Sequence, residues 1–208
     1  MTRSYRSPTR DERRAATRTA ICRAATELFV ERGYAATQIT AVAEAAGVSA
    51  QTVYDNFGTK RDLLRVIVHD AAVRDVDTML DSTWVKDLEH ETDQWRRWEL
   101  MREAAASVLT AALPLTAVLK AAAVSEPEIA SLWVEMEAQR RRDVEGLVQL
   151  LLAVGPLRLP EDDAVDLVWA LSRTTDLYAT LVTDRSWPAA KAVDAVSDTI
   201  ARAILPDR

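Results

Sequence analysis

Two short helical segments joined by Gly47-Val48-Ser49 constrain the fold of this chain more than any other part of its sequence. Apolar and small residues recur at helical spacing from Ile39 to Ala46, which predicts a helix of about two turns. Gly47 is expected to end this helix, because glycine adopts the left-handed conformation at low cost. Ser49 is expected to cap a second helix that runs to Phe57. Two short helices joined by a tight turn that contains glycine form the helix-turn-helix plan.

The flanking segments predict a three-helix head around this motif. Thr37 is expected to cap the first helix of the motif, and Thr59 to cap the helix that follows it. Upstream, an apolar stripe at helical spacing predicts a first helix that covers the motif and ends at Gly33. The residues of this stripe are Ile21, Ala24, Ala25, Leu28 and Phe29. Lys60 and Arg61 oppose the dipole at the start of the fourth helix, so we expect an anion to dock there.

The order of residues from Thr37 to Leu64, T-x-I-x-x-V-A-x-x-A-G-V-S-x-x-T-V-Y-x-x-F-x-x-K-x-x-L-L, resembles the DNA-binding domain of the TetR (tetracycline-repressor) family of bacterial regulators. The resemblance runs from about Arg13 to Leu64. Three positions depart from the family pattern: Gln38 stands where a second Thr is common, Gln51 where Gly is common, and Asn56 where His is common. Because all three are expected near the DNA, these departures concern the operator sequence rather than the fold.

The second helix of the motif carries short polar side chains that suit base edges and phosphates. We expect Thr40, Gln51 and Thr52 to approach bases. By resemblance to the matching family positions, Tyr54, Asn56 and Lys60 are expected to hold phosphates. The predicted DNA-binding set is Thr37, Gln38, Thr40, Ser49, Ala50, Gln51, Thr52, Tyr54, Asn56 and Lys60.

Charge is distributed unevenly along the 208 residues, whose net charge is −6. Residues 1–60 hold 9 Lys+Arg against 6 Asp+Glu, a net of +3, and residues 61–208 hold 17 against 26, a net of −9. A basic head on an acidic body suits local contact with phosphates. A single cysteine argues against a disulfide framework, and no apolar run approaches the ~18 residues that a bilayer span needs. These features predict a cytoplasmic protein without membrane contact.

The chain is predicted to be all-α, with three regions. Residues 1–8 are expected to form a flexible arm, residues 9–60 the helix-turn-helix domain, and residues 61–208 a larger helical body for ligand binding and dimerisation. In the body, a long fourth helix is expected to extend toward Met79 and Leu80, and residues 81–93 to form a loop or frayed turn. A helix from Gln94 is expected to break at Pro114, and another to start at Ser125, whose side chain would cap it.

The last two helices, within 163–183 and after Pro188, carry many apolar residues. This pattern predicts more apolar surface than one small body can bury. We therefore expect them to form a homodimer interface, a four-helix bundle about a two-fold axis. The family resemblance implies the same arrangement.

All six tryptophans follow the head, and any one of them is more often a core residue than a ligand contact. Large aromatic side chains with one charged anchor also suit a cavity for an apolar molecule. Arg140 is in helical phase with the apolar residues before it, so it could be that anchor. The predicted effector pocket consists of Trp95, Trp98, Met101, Trp133, Met136, Arg140 and Trp169. The resemblance implies that the effector is held between the long helices of the body.

No motif suggests a nucleophile, base and orienting group, and no Cys/His spacing suggests a metal site. The sequence therefore predicts neither enzyme activity nor a cofactor nor a bound metal. The favoured function is a homodimeric repressor that binds double-stranded operator DNA and is released by a small, largely apolar effector. Two alternatives remain open: a protein-binding module that keeps the fold, and an enzyme that uses the cavity of the body.

Overall fold

A computed structural model describes residues 10–73, 79–172 and 177–208, without the side chains of 72–73 and 107–110. The predicted arm over residues 1–8 lies outside the described residues. The described residues form helices and no strand, so the predicted all-α fold is confirmed. The chain divides into two compact units, with the boundary between Ile67 and Val68. The predicted domain limits at 8/9 and 60/61 stay predictions.

The N-terminal unit contains α1 (Arg10–Ala36), α2 (Ile39–Ala46), α3 (Ala50–Phe57) and the start of α4 (Lys60–Val73). The helix of α1 is interrupted at Gly33, where φ is 78° and ψ is 168°, as the sequence predicts. The apolar stripe of α1 is buried, and Tyr34 stacks on Phe29 with ring centres 5.7 Å apart. The buried faces of α1, α2 and α3 form the core of this unit, so the predicted three-helix head is present.

The turn between α2 and α3 follows the prediction closely. Gly47 has φ 69° and ψ 32°. Its N–H donates to the carbonyl of Glu44 at 3.1 Å, and the N–H of Val48 donates to that of Ala43 at 2.9 Å. This pair of bonds is the Schellman arrangement that satisfies the last carbonyls of a helix. The Ser49 hydroxyl accepts from the Thr52 N–H at 3.1 Å and caps α3.

The predicted cap at Thr37 is wrong. Gln38 occupies the N-cap position of α2 and makes no side-chain capping bond. The Thr37 hydroxyl donates instead to the carbonyls of Leu28 at 3.1 Å and Gly33 at 2.8 Å. Its side chain is 1% exposed, so Thr37 satisfies the carbonyls left open where α1 is interrupted.

The C-terminal unit contains α5 (Thr83–His90), α6 (Gln94–Ala123), α7 (Pro127–Leu152), α8 (Glu161–Leu171) and α9 (Ala189–Ile204). A 3-10 turn over Met79–Asp81 precedes α5, and a π-helical turn over Thr180–Asp184 precedes α9. Helix α6 packs against α7 and α9, and α7 packs against α8. One apolar core lies between these helices.

Three local predictions for the body are wrong. The segment 81–93 is largely helical, because Val85 and Leu88 of α5 lie on one face and are buried. Pro114 lies inside α6 and does not end it, since Leu115 and Leu119 beyond it are still buried in the core. The helix is bent by 65° between 94–106 and 111–123, and a proline within a helix commonly causes such a bend. Glu126, rather than Ser125, is the N-cap residue of α7.

Among the described residues, no single helix is long and apolar enough to cross a bilayer. The two halves of the bent α6 meet the length and composition requirement only when they are taken together.

The premise behind the predicted dimer interface is wrong for α9. Its large apolar residues are buried within one chain: Val193, Val196, Ile200 and Ile204 are 0–4% exposed. The outer face of α9 is polar or small, with Lys191 and Asp194 exposed. Helix α8 buries Ala164, Val165 and Val168 against the body, but Leu167, Trp169 and Leu171 are only partly buried. The pairing of these two helices between chains stays a prediction, and α9 would contribute its polar or small outer face to it.

Candidate functional site

Helix α3 is held by one face and presents the other to solvent. Val53 and Phe57 are buried in the N-terminal unit, whereas Gln51, Tyr54 and Asp55 are exposed. Tyr54 is 47% exposed, which is unusual for a large aromatic side chain in a packed helix. This division follows from the helical spacing of Val53 and Phe57, four residues apart, and it leaves a row of polar groups available to a partner.

The polar groups of α3 are tied to one another along the helix. The Gln51 side chain donates to the Asp55 carboxylate at 2.7 Å. The hydroxyls of Ser49 and Thr52 are 2.8 Å apart, and the Asn56 side chain donates to the Thr52 carbonyl at 2.7 Å. These contacts hold the side chains in defined positions. To read a DNA base, the Gln51 side chain must give up its hydrogen bond to Asp55 and form one to the base instead.

Arg18 of α1 holds the end of α3. Its guanidinium donates to the Asn56 carbonyl at 2.7 Å and lies 4.4 Å from the centre of the Phe57 ring. Sequence reasoning missed this residue. Arg18 lies three residues before Ile21 and is therefore in phase with the apolar stripe, which was the signal available for finding it.

The start of α4 differs from the prediction that an anion docks there. The Asp62 carboxylate accepts from the Thr59 N–H at 3.2 Å, and the Thr59 hydroxyl accepts from the Asp62 N–H at 3.1 Å. The Thr59 hydroxyl that bonds the carboxylate lowers the pKa of Asp62. The chain thus supplies its own anion at this helix end. The ammonium of Lys60 lies 4.1 Å from the centre of the Tyr34 ring, a cation–π contact.

Nine of the ten predicted DNA-binding residues are at least partly exposed. They occupy the N-terminal end of α2, the cap and polar face of α3, and the first residue of α4. These residues are Gln38, Thr40, Ser49, Ala50, Gln51, Thr52, Tyr54, Asn56 and Lys60. Thr37 is the exception, because its buried hydroxyl is used by two carbonyls of α1.

The C-terminal unit contains a largely apolar, partly open cavity of about 170 Å³. Side chains from the Met79–Asp81 turn, from every helix of α5 to α9 and from Tyr178 line it. The lining residues are Met79, Trp84, Trp98, Met101, Arg102, Ala104, Ala105, Arg140, Asp143, Val144, Leu147, Val148, Leu151, Val168, Ser172, Tyr178, Ser197 and Ile200.

Three of the seven predicted pocket residues line this cavity: Trp98, Met101 and Arg140. The other four are Trp95, Trp133, Met136 and Trp169, and they are absent from its lining. The Trp95 indole N–H donates to the Pro206 carbonyl at 3.1 Å, which directs the ring toward the C-terminus. Sequence reasoning missed Trp84, Asp143 and Tyr178, because three separate elements bring them to the cavity and no sequence spacing links them.

Both arginines of the cavity are already bound to carboxylates. The Arg140 Nε lies 3.3 Å from a Glu137 oxygen, and its terminal nitrogens donate to the Ser172 hydroxyl at 3.1 Å and the Trp169 carbonyl at 2.9 Å. Arg102 forms an ion pair with Asp194. Arg140 lines the cavity, and its charge is locally compensated.

Three polar groups of the lining are deeply buried. Burial raises the pKa of the Asp143 carboxyl, although the Gln139 side chain donates to it at 3.0 Å. Burial also raises the pKa of Tyr178 to about 12. The indole N–H of Trp98 is buried and has no hydrogen-bond partner within the described part of the chain. A buried donor without an acceptor costs stability unless a ligand or water satisfies it.

Among residues 10–73, 79–172 and 177–208, no group of three or more His, Cys, Asp or Glu side chains is placed to hold a metal ion.

Residues 21–67, which span the motif and its flanking helices, match the family model described as bacterial regulatory proteins, tetR family. Among curated proteins, no sequence matches this chain. Solved structures resemble the chain along nearly its whole length. NalD, the secondary repressor of the MexAB-OprM multidrug efflux pump in Pseudomonas aeruginosa, is 22% identical, with a TM-score of 0.65 over 92% of this chain and 98% of that one.

Two further structures extend this likeness. The SmeT–triclosan complex is 18% identical, with a TM-score of 0.69 over 92% of this chain and 93% of that chain. The fatty acid degradation regulator FadR from Bacillus halodurans is 18% identical, with a TM-score of 0.66 over 94% and 96%. At these identities the likeness concerns the fold. Residues 21–67 therefore match the DNA-binding region of the tetR family of bacterial regulatory proteins, and the chain shares the fold of these solved regulators along nearly its whole length.

Proposed function

We propose that this protein is a ligand-responsive repressor that binds operator DNA as a homodimer in the bacterial cytoplasm. The observation that carries the proposal is the pairing of two features in separate units. The N-terminal unit offers an exposed polar face on the second helix of a helix-turn-helix, and the C-terminal unit contains a largely apolar cavity. A DNA reader and a small-molecule site in one chain suit a switch that a metabolite or drug controls.

Helix α3 would enter the major groove, with Gln51, Thr52 and Thr40 near bases. Tyr54, Asn56 and Lys60 would hold phosphates, with Gln38, Ser49 and Ala50 at the margins of the contact. The exposure of these side chains supports the assignment. In a two-fold dimer, the half-sites would lie one or more helical turns apart, ~34–36 Å for each turn.

The effector would be small and largely apolar. The apolar lining and the modest volume of the cavity support this. Two structural neighbours are the secondary repressor of a multidrug efflux pump and a protein in complex with triclosan. Release from DNA would require the effector to bind the DNA-free conformation more tightly than the DNA-bound one. Catalysis is no part of the proposal, since turnover of a bound compound is not needed for such a switch.

The test is binding of the full-length protein to the DNA that flanks its own gene. Fluorescence anisotropy is measured across a salt series, with scrambled DNA as competitor. We expect saturable binding that survives the competitor and weakens steeply with salt, because phosphate contacts release counterions. Sedimentation of the complex should give two protein chains, or a multiple of two, for each operator.

Binding that scrambled DNA abolishes at every site selected from the genome would contradict the operator-reading function. Loss of DNA binding with retention of a protein partner would favour the alternative of a protein-binding module. If a compound bound in the cavity leaves operator affinity unchanged, the protein is a DNA-binding regulator without the proposed ligand response.

A further inference from the structure

The outermost side chain of α3 is a carboxylate, and the inference about its role rests on the proposed operator function. We infer that Asp55 determines sequence specificity: its carboxylate accepts a hydrogen bond from the N4 amino group of a cytosine in the major groove and rejects thymine and guanine at that position. Three properties of Asp55 support this role: its place on the helix, its single hydrogen-bond partner and its charge.

Asp55 lies at the centre of the exposed face of α3. It comes two residues after Val53 and two residues before Phe57, both of which are buried. Because successive residues of an α-helix are about 100° apart, Asp55 lies roughly 160° from each of these side chains around the helix axis. Gln51 lies roughly 120° from Phe57 and is therefore nearer to the buried face. In an α3 helix that enters the major groove, Asp55 is the side chain that meets the base edges.

The Asp55 side chain has one hydrogen-bond partner in the described part of the chain. The Gln51 side chain donates to its Oδ1 atom at 2.7 Å. Among residues 10–73, 79–172 and 177–208, no arginine, lysine or histidine forms an ion pair with it. When Gln51 gives up this bond to read a base, the carboxylate keeps only acceptor oxygens and needs a donor from the DNA. An acceptor that is removed from water without a donor weakens binding.

DNA offers few partners to an ionised carboxylate. Phosphates repel it, and thymine O4, guanine O6 and the N7 atoms of both purines are acceptors, as the carboxylate itself is. The donors that remain in the major groove are the amino groups of cytosine N4 and adenine N6. The adenine amino group lies between two acceptors, its own N7 and the O4 of the paired thymine. Cytosine N4 has guanine O6 on one side and a C5–H group on the other, so cytosine repels the carboxylate less.

The test compares the full-length wild type with Asp55→Asn and Asp55→Ala. Preferred bases are determined by selection from a randomised operator, and affinities are measured by fluorescence anisotropy. Asp55→Asn keeps the size of the side chain and removes its charge. Glu44→Gln is the matched control, because Glu44 is an exposed carboxylate on α2 of the same unit and lies outside the predicted DNA-binding set. Asp55 is exposed, so neither substitution removes a buried contact.

Wild type is expected to select cytosine at one position of each half-site. Replacement of that C·G pair by T·A in one half-site should weaken binding about five- to hundredfold. Asp55→Ala should reduce this difference below about threefold, and Asp55→Asn should accept thymine, because its amide can donate to O4. Glu44→Gln should keep the wild-type preference. Gln51→Ala should also keep the cytosine preference, since the carboxylate remains.

A modified operator tests the amino group itself. The base 2-pyrimidinone replaces the selected cytosine and lacks only the N4 amino group. The resulting loss of affinity should be about fivefold or more larger in wild type than in Asp55→Ala. Any effect of the weaker base pair is common to both proteins and cancels in this ratio.

Three results overturn the inference and leave the operator function intact. The first is an unchanged base preference in both Asp55 variants with tighter binding to every DNA, which would make Asp55 a general repulsive charge. The second is loss of the cytosine preference in Gln51→Ala as well, which would mean that Asp55 only orients Gln51. The third is an equal loss from the modified cytosine in wild type and Asp55→Ala. If wild type selects no sequence at all, the inference and the operator function are both wrong.

Discussion

Replacement of Gly47 by alanine tests whether the turn of the helix-turn-helix depends on a left-handed residue. Gly47 has φ 69° and ψ 32°, and a Cβ atom built there would meet no atom within 4 Å. The penalty is therefore conformational and contains no steric clash with neighbours. An L-residue in this region costs roughly 1–2 kcal/mol. Both hydrogen bonds of the Schellman turn use backbone atoms and survive the substitution.

The expected loss for Gly47→Ala is about 1–2 kcal/mol in the opening of α2 and α3, which corresponds to roughly five- to thirty-fold faster amide exchange. Gly47→Asn is the matched control, because asparagine tolerates the left-handed region and should lose clearly less. Hydrogen exchange of peptides from residues 39–57 measures the effect directly. Tryptophan fluorescence supplies an internal reference, because all six tryptophans lie between residues 84 and 187.

The reasoning would be refuted by equal exchange rates in wild type and Gly47→Ala, or by equal losses for the alanine and asparagine variants. A loss of stability far above the expected range would indicate a steric clash of the added methyl group. The open space around Gly47 argues against such a clash.

Three further outcomes are expected. Lys60→Ala should lower the slope of log affinity against log salt by about 1.8, because a dimer loses two phosphate contacts. Lys60→Arg should keep the wild-type slope. An unchanged slope in Lys60→Ala would remove Lys60 from the phosphate contacts. Gln51→Ala should change the preferred base at one position per half-site and leave the salt slope unaltered, as measured by selection from a randomised operator; an unaltered preference would remove Gln51 from the base-reading set. In the unfolded state Tyr178 loses its proton near pH 10, whereas the folded state keeps the proton until its pKa of about 12. The free energy of unfolding therefore falls as pH rises between these two values, by about 1.4 kcal/mol at pH 11. Urea unfolding of Tyr178→Phe should lack that fall, and an equal fall in both proteins would contradict the raised pKa.

Local sequence signals predicted the head well, because its elements depend on neighbours within a few residues. The end of α2 at Gly47, the cap at Ser49 and the interruption at Gly33 each reflect a backbone preference of one residue type. The predicted role of Thr37 was wrong, because a hydroxyl group just before a helix can accept from an N–H of that helix or donate to a carbonyl of the preceding helix. Only the packing of α1 decides between these two uses.

The lining of the cavity was harder to predict, because it also depends on how the helices pack against one another. Helical phase pointed to Trp98, Met101 and Arg140, which line the cavity, and equally to Trp133 and Met136, which are absent from its lining. A helix face can be buried in solid core or border a void, and its periodicity is the same in both cases. Likewise, Pro114 predicts a break, but burial of the residues beyond it keeps α6 helical through a bend.

The sequence by itself determined the all-helical class, the helix-turn-helix and the side chains that α3 presents, because these follow from spacing, capping and the conformational freedom of glycine. Tertiary structure alone decided which aromatic rings line the cavity and that its two arginines are paired with carboxylates. It also decided that α9 buries its apolar face within one chain. Those properties depend on groups far apart in sequence, whose distances only packing sets.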